Sequence, residues 1–155
     1  MKKFICILVS VVLVILAGYI CSEYFEYFRN PVLKELPIYR SKEYYSEGFW
    51  QDYTDYAKCF YKNVSEEDLQ SAESFNKMTE QDVKEVLCYV EEYESFINNF
   101  GENGIEGIKE VYDFDKAVVD TDDYFHIISG DSYTFFTLYY FDIESQILYY
   151  FHNSI

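Results

Sequence analysis

Apolar and polar positions divide the chain into an apolar N-terminal run, a mixed connector, a helical middle and an alternating C-terminal third. Phe4 to Ile20 is nearly unbroken in apolar residues, and Ser10 is its one clearly polar member. A helix that spans a bilayer takes roughly 17–25 such residues. The run also follows Met1-Lys2-Lys3, the basic start that a signal peptide needs. Tyr19, Tyr24, Phe25, Tyr27 and Phe28 then cluster where the ring side chains of a membrane interface would lie. Pro31 is expected to stop any helix that continues out of the run. Residues 1–21 are therefore predicted to be a transmembrane anchor or signal peptide, and 22–48 a juxtamembrane connector. Lys2, Lys3 and the short N-terminal tail place the start inside and the remainder outside the cytoplasm, with secretion after signal cleavage as the alternative.

Three helical patterns follow. Phe49, Tyr53, Tyr56, Ala57, Phe60 and Val64 recur at three- and four-residue steps, which predicts an aromatic helix over 49–64. Ser65 with Asp68 three residues on is a capping box with Asp in place of Glu, opening a short peripheral helix. Thr79 opens the strongest helix. Glu80 and Asp82 complement its N-terminus, Val83, Val86, Leu87, Val90, Tyr93, Ile97 and Phe100 form one apolar face, and Gly101 stands at its end.

From residue 118 the period changes to that of strands. Tyr124 to Ile128, Tyr133 to Phe141 and Gln146 to His152 are dense in aromatic and β-branched residues, and polar turns separate them. Residues 49–155 are accordingly expected to form one α+β domain. In it, two to three helices pack on a C-terminal three-stranded antiparallel meander. Alternation puts Tyr133, Phe135, Thr137, Tyr139 and Phe141 on one side of the middle strand and Thr134, Phe136, Leu138 and Tyr140 on the other. Both sides are apolar enough to want cover. The final strand, if at a sheet edge, offers unpaired backbone for dimerisation.

Composition adds a strong asymmetry of charge. The 155 residues carry 12 Lys+Arg against 28 Asp+Glu, a net of −16, with 18 Tyr and 14 Phe. So many aromatics exclude an acidic disordered chain. The acidity is concentrated beyond residue 62, where only Lys77, Lys84, Lys109 and Lys116 are basic, and no Lys or Arg follows Lys116. Such a surface repels phosphate, so nucleic acid is not an expected partner, and it draws basic proteins instead.

Searching for chemistry yields little. Cys59 and Cys88 are the candidate disulfide of an exported domain, where closing so long a loop stabilises by roughly 3–4 kcal/mol. His126 and His152 lack the further ligands and spacing of a zinc site. The acidic run Asp113 to Asp123 lacks the Gly and Glu of an EF-hand loop. Gly130-Asp131-Ser132 resembles the opening of GDSL-type esterases, and Asp123 to His126 resembles their acid–base pair. The order is reversed and the chain is short for that fold, so a polar turn is the reading kept. No catalytic residue, metal site or cofactor is predicted.

These readings converge on a membrane-anchored, extracytoplasmic, non-enzymatic interaction protein, whose membrane contact is residues 4–20 and whose partner is a basic protein. Tyr133, Phe135, Tyr139, Tyr149 and Tyr150 are its candidate partner surface. An immunity or inhibitor protein against a basic toxin domain, and a subunit of a membrane complex, are the alternatives.

Overall fold

The computed structural model describes residues 10, 12–15, 17, 18, 27, 29–49, 52–99, 106–130 and 135–154. It divides into two compact units, Met1–Ile38 and Tyr39–Ile155.

In the first unit, residues 12–15, 17, 18, 27 and 29 are helical, and the helical residues end ahead of Pro31. A proline disfavours helical backbone in the residue before it, here Asn30. The Asn30 Oδ1 instead accepts the backbone N–H groups of Val32 at 3.0 Å and Leu33 at 3.3 Å, opening a 3₁₀ turn over Leu33–Glu35. The Tyr27 hydroxyl closes the unit by donating to the Leu36 carbonyl at 3.0 Å. Most of the expected anchor, residues 1–9, 11, 16 and 19–21, lies outside the described residues. Among the described residues no helix is long and apolar enough to cross a membrane. The expected transmembrane helix is thus not seen among the described residues.

The second unit replaces the expected three-stranded meander with a six-stranded antiparallel sheet. Its strands are β1 (Ser41–Phe49), β2 (Asp52–Phe60), β3 (Asn76–Lys77), β4 (Tyr124–Ser129), β5 (Phe135–Asp142) and β6 (Ile147–Ser154), in the order β1-β2-β6-β5-β4-β3. Three helices join them, α1 (Glu66–Ser71), α2 (Glu80–Asn99) and α3 (Glu106–Val111). The aromatic helix expected over 49–64 is instead strand β2 followed by a loop, and β1 lies in what read as connector. The cause is burial. β2 pairs with β1 on one side and β6 on the other. Tyr56 on one face and Asp55, Ala57 and Cys59 on the other are all buried. Where polar residues such as Thr54 and Asp55 are buried on both faces, a strand loses the polar alternation that identifies it, and its apolar positions then fall on helical steps by chance.

Register fixes the two faces. Tyr45, Tyr56, Phe151, Leu138 and Ile127 form one cross-strand row on the helix-covered face. Val86, Tyr89, Val90, Tyr93 and Ile97 of α2 join Phe136, Leu138, Tyr140 and Phe151 in one core. Tyr93 packs on Phe151 with ring centroids 5.4 Å apart and donates its hydroxyl to the Asp55 carbonyl at 3.0 Å. The second face is covered at one end by the segment around α1, where Tyr61 meets Phe141 at 5.5 Å and Gln70 donates to the Tyr124 hydroxyl at 3.3 Å.

The sheet also separates the two cysteines. Cys59 points to the second face with Leu148, α2 lies over the first, and Cys88 is exposed on α2. Both are free thiols, so the expected Cys59–Cys88 disulfide is absent. Burial pushes the Cys59 thiol up to about 12.

Candidate functional site

Two features of the Tyr39–Ile155 unit are concave or apolar enough to engage a partner. The first is a cleft of about 590 Å³ between the 117–123 turn and the hairpin that joins β5 to β6. Asp120, Asp122, Asp123, Asp142 and Glu144 line it with Ala117, Val118, Ile143 and Ser145, and no basic residue is among them.

The carboxylates divide by task. Asp123 is a structural clamp. Its Oδ1 accepts the Ile143 N–H at 3.0 Å, and its Oδ2 accepts the Asp120 N–H at 3.2 Å and the Tyr140 hydroxyl. Burial raises its pKa, and these three donors partly offset the rise. Asp142 holds the hairpin turn through the Ser145 N–H at 3.0 Å and the Ser145 hydroxyl at 2.7 Å. Asp120 Oδ1 accepts the Asp122 N–H at 2.7 Å. Asp120, Asp122 and Glu144 are exposed at the mouth.

Nearby lysines do not neutralise this charge. Lys116 turns from the cleft to Glu94 at 2.9 Å. Lys77 pairs with Glu66 at 3.4 Å. Lys58 pairs with Glu43 at 2.9 Å and Asp113 at 2.7 Å, while Tyr56 donates to the other Asp113 oxygen at 2.9 Å. The acidic run that suggested calcium is therefore dispersed. Asp113 faces Lys58, Asp115 caps the 3₁₀ turn through the Ala117 N–H, and only its last members reach the cleft. Among the described residues no three His, Cys, Asp or Glu are grouped to hold a metal ion.

The second feature is the end of the sheet's second face away from α1. Tyr44, Tyr53, Ile128 and Phe135 are exposed there. His152 is buried among them. It faces Asp55 on β2 and Thr137 on β5, and its Nδ1 lies 2.8 Å from the Thr137 hydroxyl. Burial lowers its pKa, with the Asp55 carboxylate opposing, which favours the neutral ring.

Of the candidate partner residues, Phe135, Tyr139 and Tyr150 share this face. Phe135 is exposed, Tyr150 is half-buried, and Tyr139 is buried with its ring 5.2 Å from that of Tyr150. Tyr149 points to the opposite, helix-covered face, against Phe114 at 4.8 Å. Tyr133 lies outside the described residues. Sequence reasoning missed Tyr44 and Tyr53, because β1 and β2 were not recognised as strands. The cleft was half legible. Its carboxylates stood out as an acidic run, but the approach of Asp142 and Glu144 depends on tertiary structure. Strand β6 is central, so the long sheet edge open to pairing is β1 and not the C-terminal strand.

Asp123 and His126, the pair that resembled an esterase acid–base couple, are separated by role. Asp123 is spent on the clamp, and His126 stacks beside Tyr139 at 5.9 Å. No protein-family model, curated protein or solved structure matches the chain.

Proposed function

We propose that this protein is a non-enzymatic interaction module that captures a basic protein partner, and that its apolar run over residues 4–20 delivers it to, or across, a membrane. The observation that carries the reading is the acidic cleft. Five carboxylates line it, the nearest lysines are engaged elsewhere, and no Lys or Arg occurs after Lys116 to compensate. A cleft of one sign focuses the field and steers a cationic partner toward itself. An inhibitor that neutralises a basic toxin domain is the form of this reading that charge complementarity reaches most directly.

The test is binding of a basic polypeptide, polylysine, to the full-length protein at low and high chloride. Binding is expected at low salt and is expected to weaken as salt rises. Asp122→Asn with Glu144→Gln removes two exposed charges that hold no part of the clamp. It should weaken binding about fivefold. Absence of binding at low salt would sink the reading. N-terminal sequencing of membrane and soluble fractions, with protease accessibility, tests the delivery. An intact N-terminus in a soluble, cytoplasmic fraction would remove that part.

A further inference from the structure

The acidic cleft leaves the open end of the second sheet face unused. Tyr53 and Phe135 are 39% and 46% exposed, far more than aromatic residues inside a sheet need to be. They flank His152 at centroid distances of 4.8 Å and 6.1 Å, and Tyr150 stacks on it at 6.3 Å with the planes 10° apart. The face of an aromatic ring is the negative end of its quadrupole, so it attracts ammonium and guanidinium groups. Cations of the chain already use this face in that way. Lys42 Nζ lies 5.6 Å from the centroid of the Tyr44 ring. The described strands direct two lysines to this side, Lys42 and, at the α1 end, Lys77, which lies 5.8 Å from the centroid of the Tyr124 ring and pairs with Glu66. Charge then selects the occupant. A second copy brings another net −16 against the first and is repelled, whereas a cationic segment is drawn in.

Resting on the basic partner proposed above, we infer that the platform of Tyr53, Phe135, Tyr150 and His152 docks arginine or lysine side chains of that partner, by cation–π contact. The cleft borders the hairpin that joins β5 to β6 and the platform lies at the other end of those strands, so they are two separate contacts, one electrostatic and one aromatic. Phe135 and Tyr53 are the residues on which a guanidinium has room to stack, since both rings are open to solvent.

The experiment measures binding of a synthetic arginine–glycine repeat peptide to the full-length protein in detergent at low salt. Tyr53→Leu with Phe135→Leu keeps apolar bulk but removes both ring faces. It should weaken the peptide about tenfold with the unfolding temperature unchanged. Tyr53→Phe keeps the ring face and should bind like the original protein. Unchanged affinity in the double leucine variant, together with weaker binding by Asp122→Asn with Glu144→Gln, overturns the platform and leaves the basic-partner reading standing. No binding by the original protein sinks both. A dimer in sedimentation that the double leucine variant dissociates gives the face to a second copy and also overturns the inference.

Discussion

His152 shows how one buried side chain couples the open face to pH. Its ring sits among Tyr53, Phe135 and Tyr150, with Nδ1 on the Thr137 hydroxyl and the Asp55 carboxylate in the next strand. Tyr139 and His126 face the same side from β5 and β4. Desolvation holds the folded-state pKa below the ordinary 6.5, and Asp55 only partly opposes it. The unfolded chain therefore takes up a proton first as pH falls. Stability from this group is complete above about 6.5 and is lost as pH drops toward the lower folded value. Asp123 acts with the opposite sign, since burial raises its pKa, so the difference between two proteins isolates His152. Urea midpoints at neutral and mildly acidic pH should fall for the original protein and fall less for His152→Gln. Parallel lines for the two proteins would show that the ring is already charged.

Individual elements were legible where their own pattern was sufficient. Helix α2 occupies Glu80–Asn99, the stretch with the sustained 3.6-residue period, and Thr79 caps it in the expected place. The Thr79 hydroxyl accepts the Asp82 N–H at 3.3 Å, and Asp82 Oδ2 accepts the Thr79 N–H at 2.8 Å, so Asp at the third position completes the box. The same arrangement recurs at Ser65 and Asp68 before α1. Thr79→Ala removes one of these reciprocal bonds and should cost about 1 kcal/mol in denaturant unfolding. A neutral result would mean that packing of Val86, Val90 and Tyr93 alone sets the helix start. Strands β1 and β2 were illegible for two different reasons. In β1, lysine and glutamate alternate with tyrosine irregularly because it is a half-exposed edge, where charge guards against unwanted pairing. In β2, Thr54 and Lys58 lie beside Tyr56 on the helix-covered face while Asp55 lies with Ala57 and Cys59 on the other, so polar and apolar residues mix on both sides. The open aromatic platform was missed with them, because Tyr53 looks like one turn of a helix until β6 lies beside it. Composition pointed to the C-terminal third of the chain. Phe135, Tyr139 and Tyr150 lie on that face because β5 and β6 alternate as read.

At the scale of the whole molecule, charge sets stability and the proposed binding in opposition. Lys58, Lys77 and Lys116 are committed to Glu43, Asp113, Glu66 and Glu94, but these pairs are partly exposed and contribute little to stability. The 28 carboxylates outnumber the 12 basic residues, so the unbalanced excess dominates the field. Repulsion within that excess destabilises the folded state, and salt screens it, with a Debye length falling from about 10 Å at 0.1 M to about 3 Å at 1 M. Added sodium chloride should therefore raise the urea midpoint. The proposed attraction for a basic partner is screened by the same ions, so the same addition should weaken polylysine binding. The two curves must have opposite slopes in one salt series. Chloride is the right anion for this, because sulfate stabilises folded proteins by exclusion whatever their charge. Asp122→Asn with Glu144→Gln reduces both slopes together, since it lowers the repulsion and the attraction at once. A urea midpoint that falls with salt would mean that the lysine pairs outweigh the excess charge. The cleft would then be a neutralised surface and not a cation-seeking one.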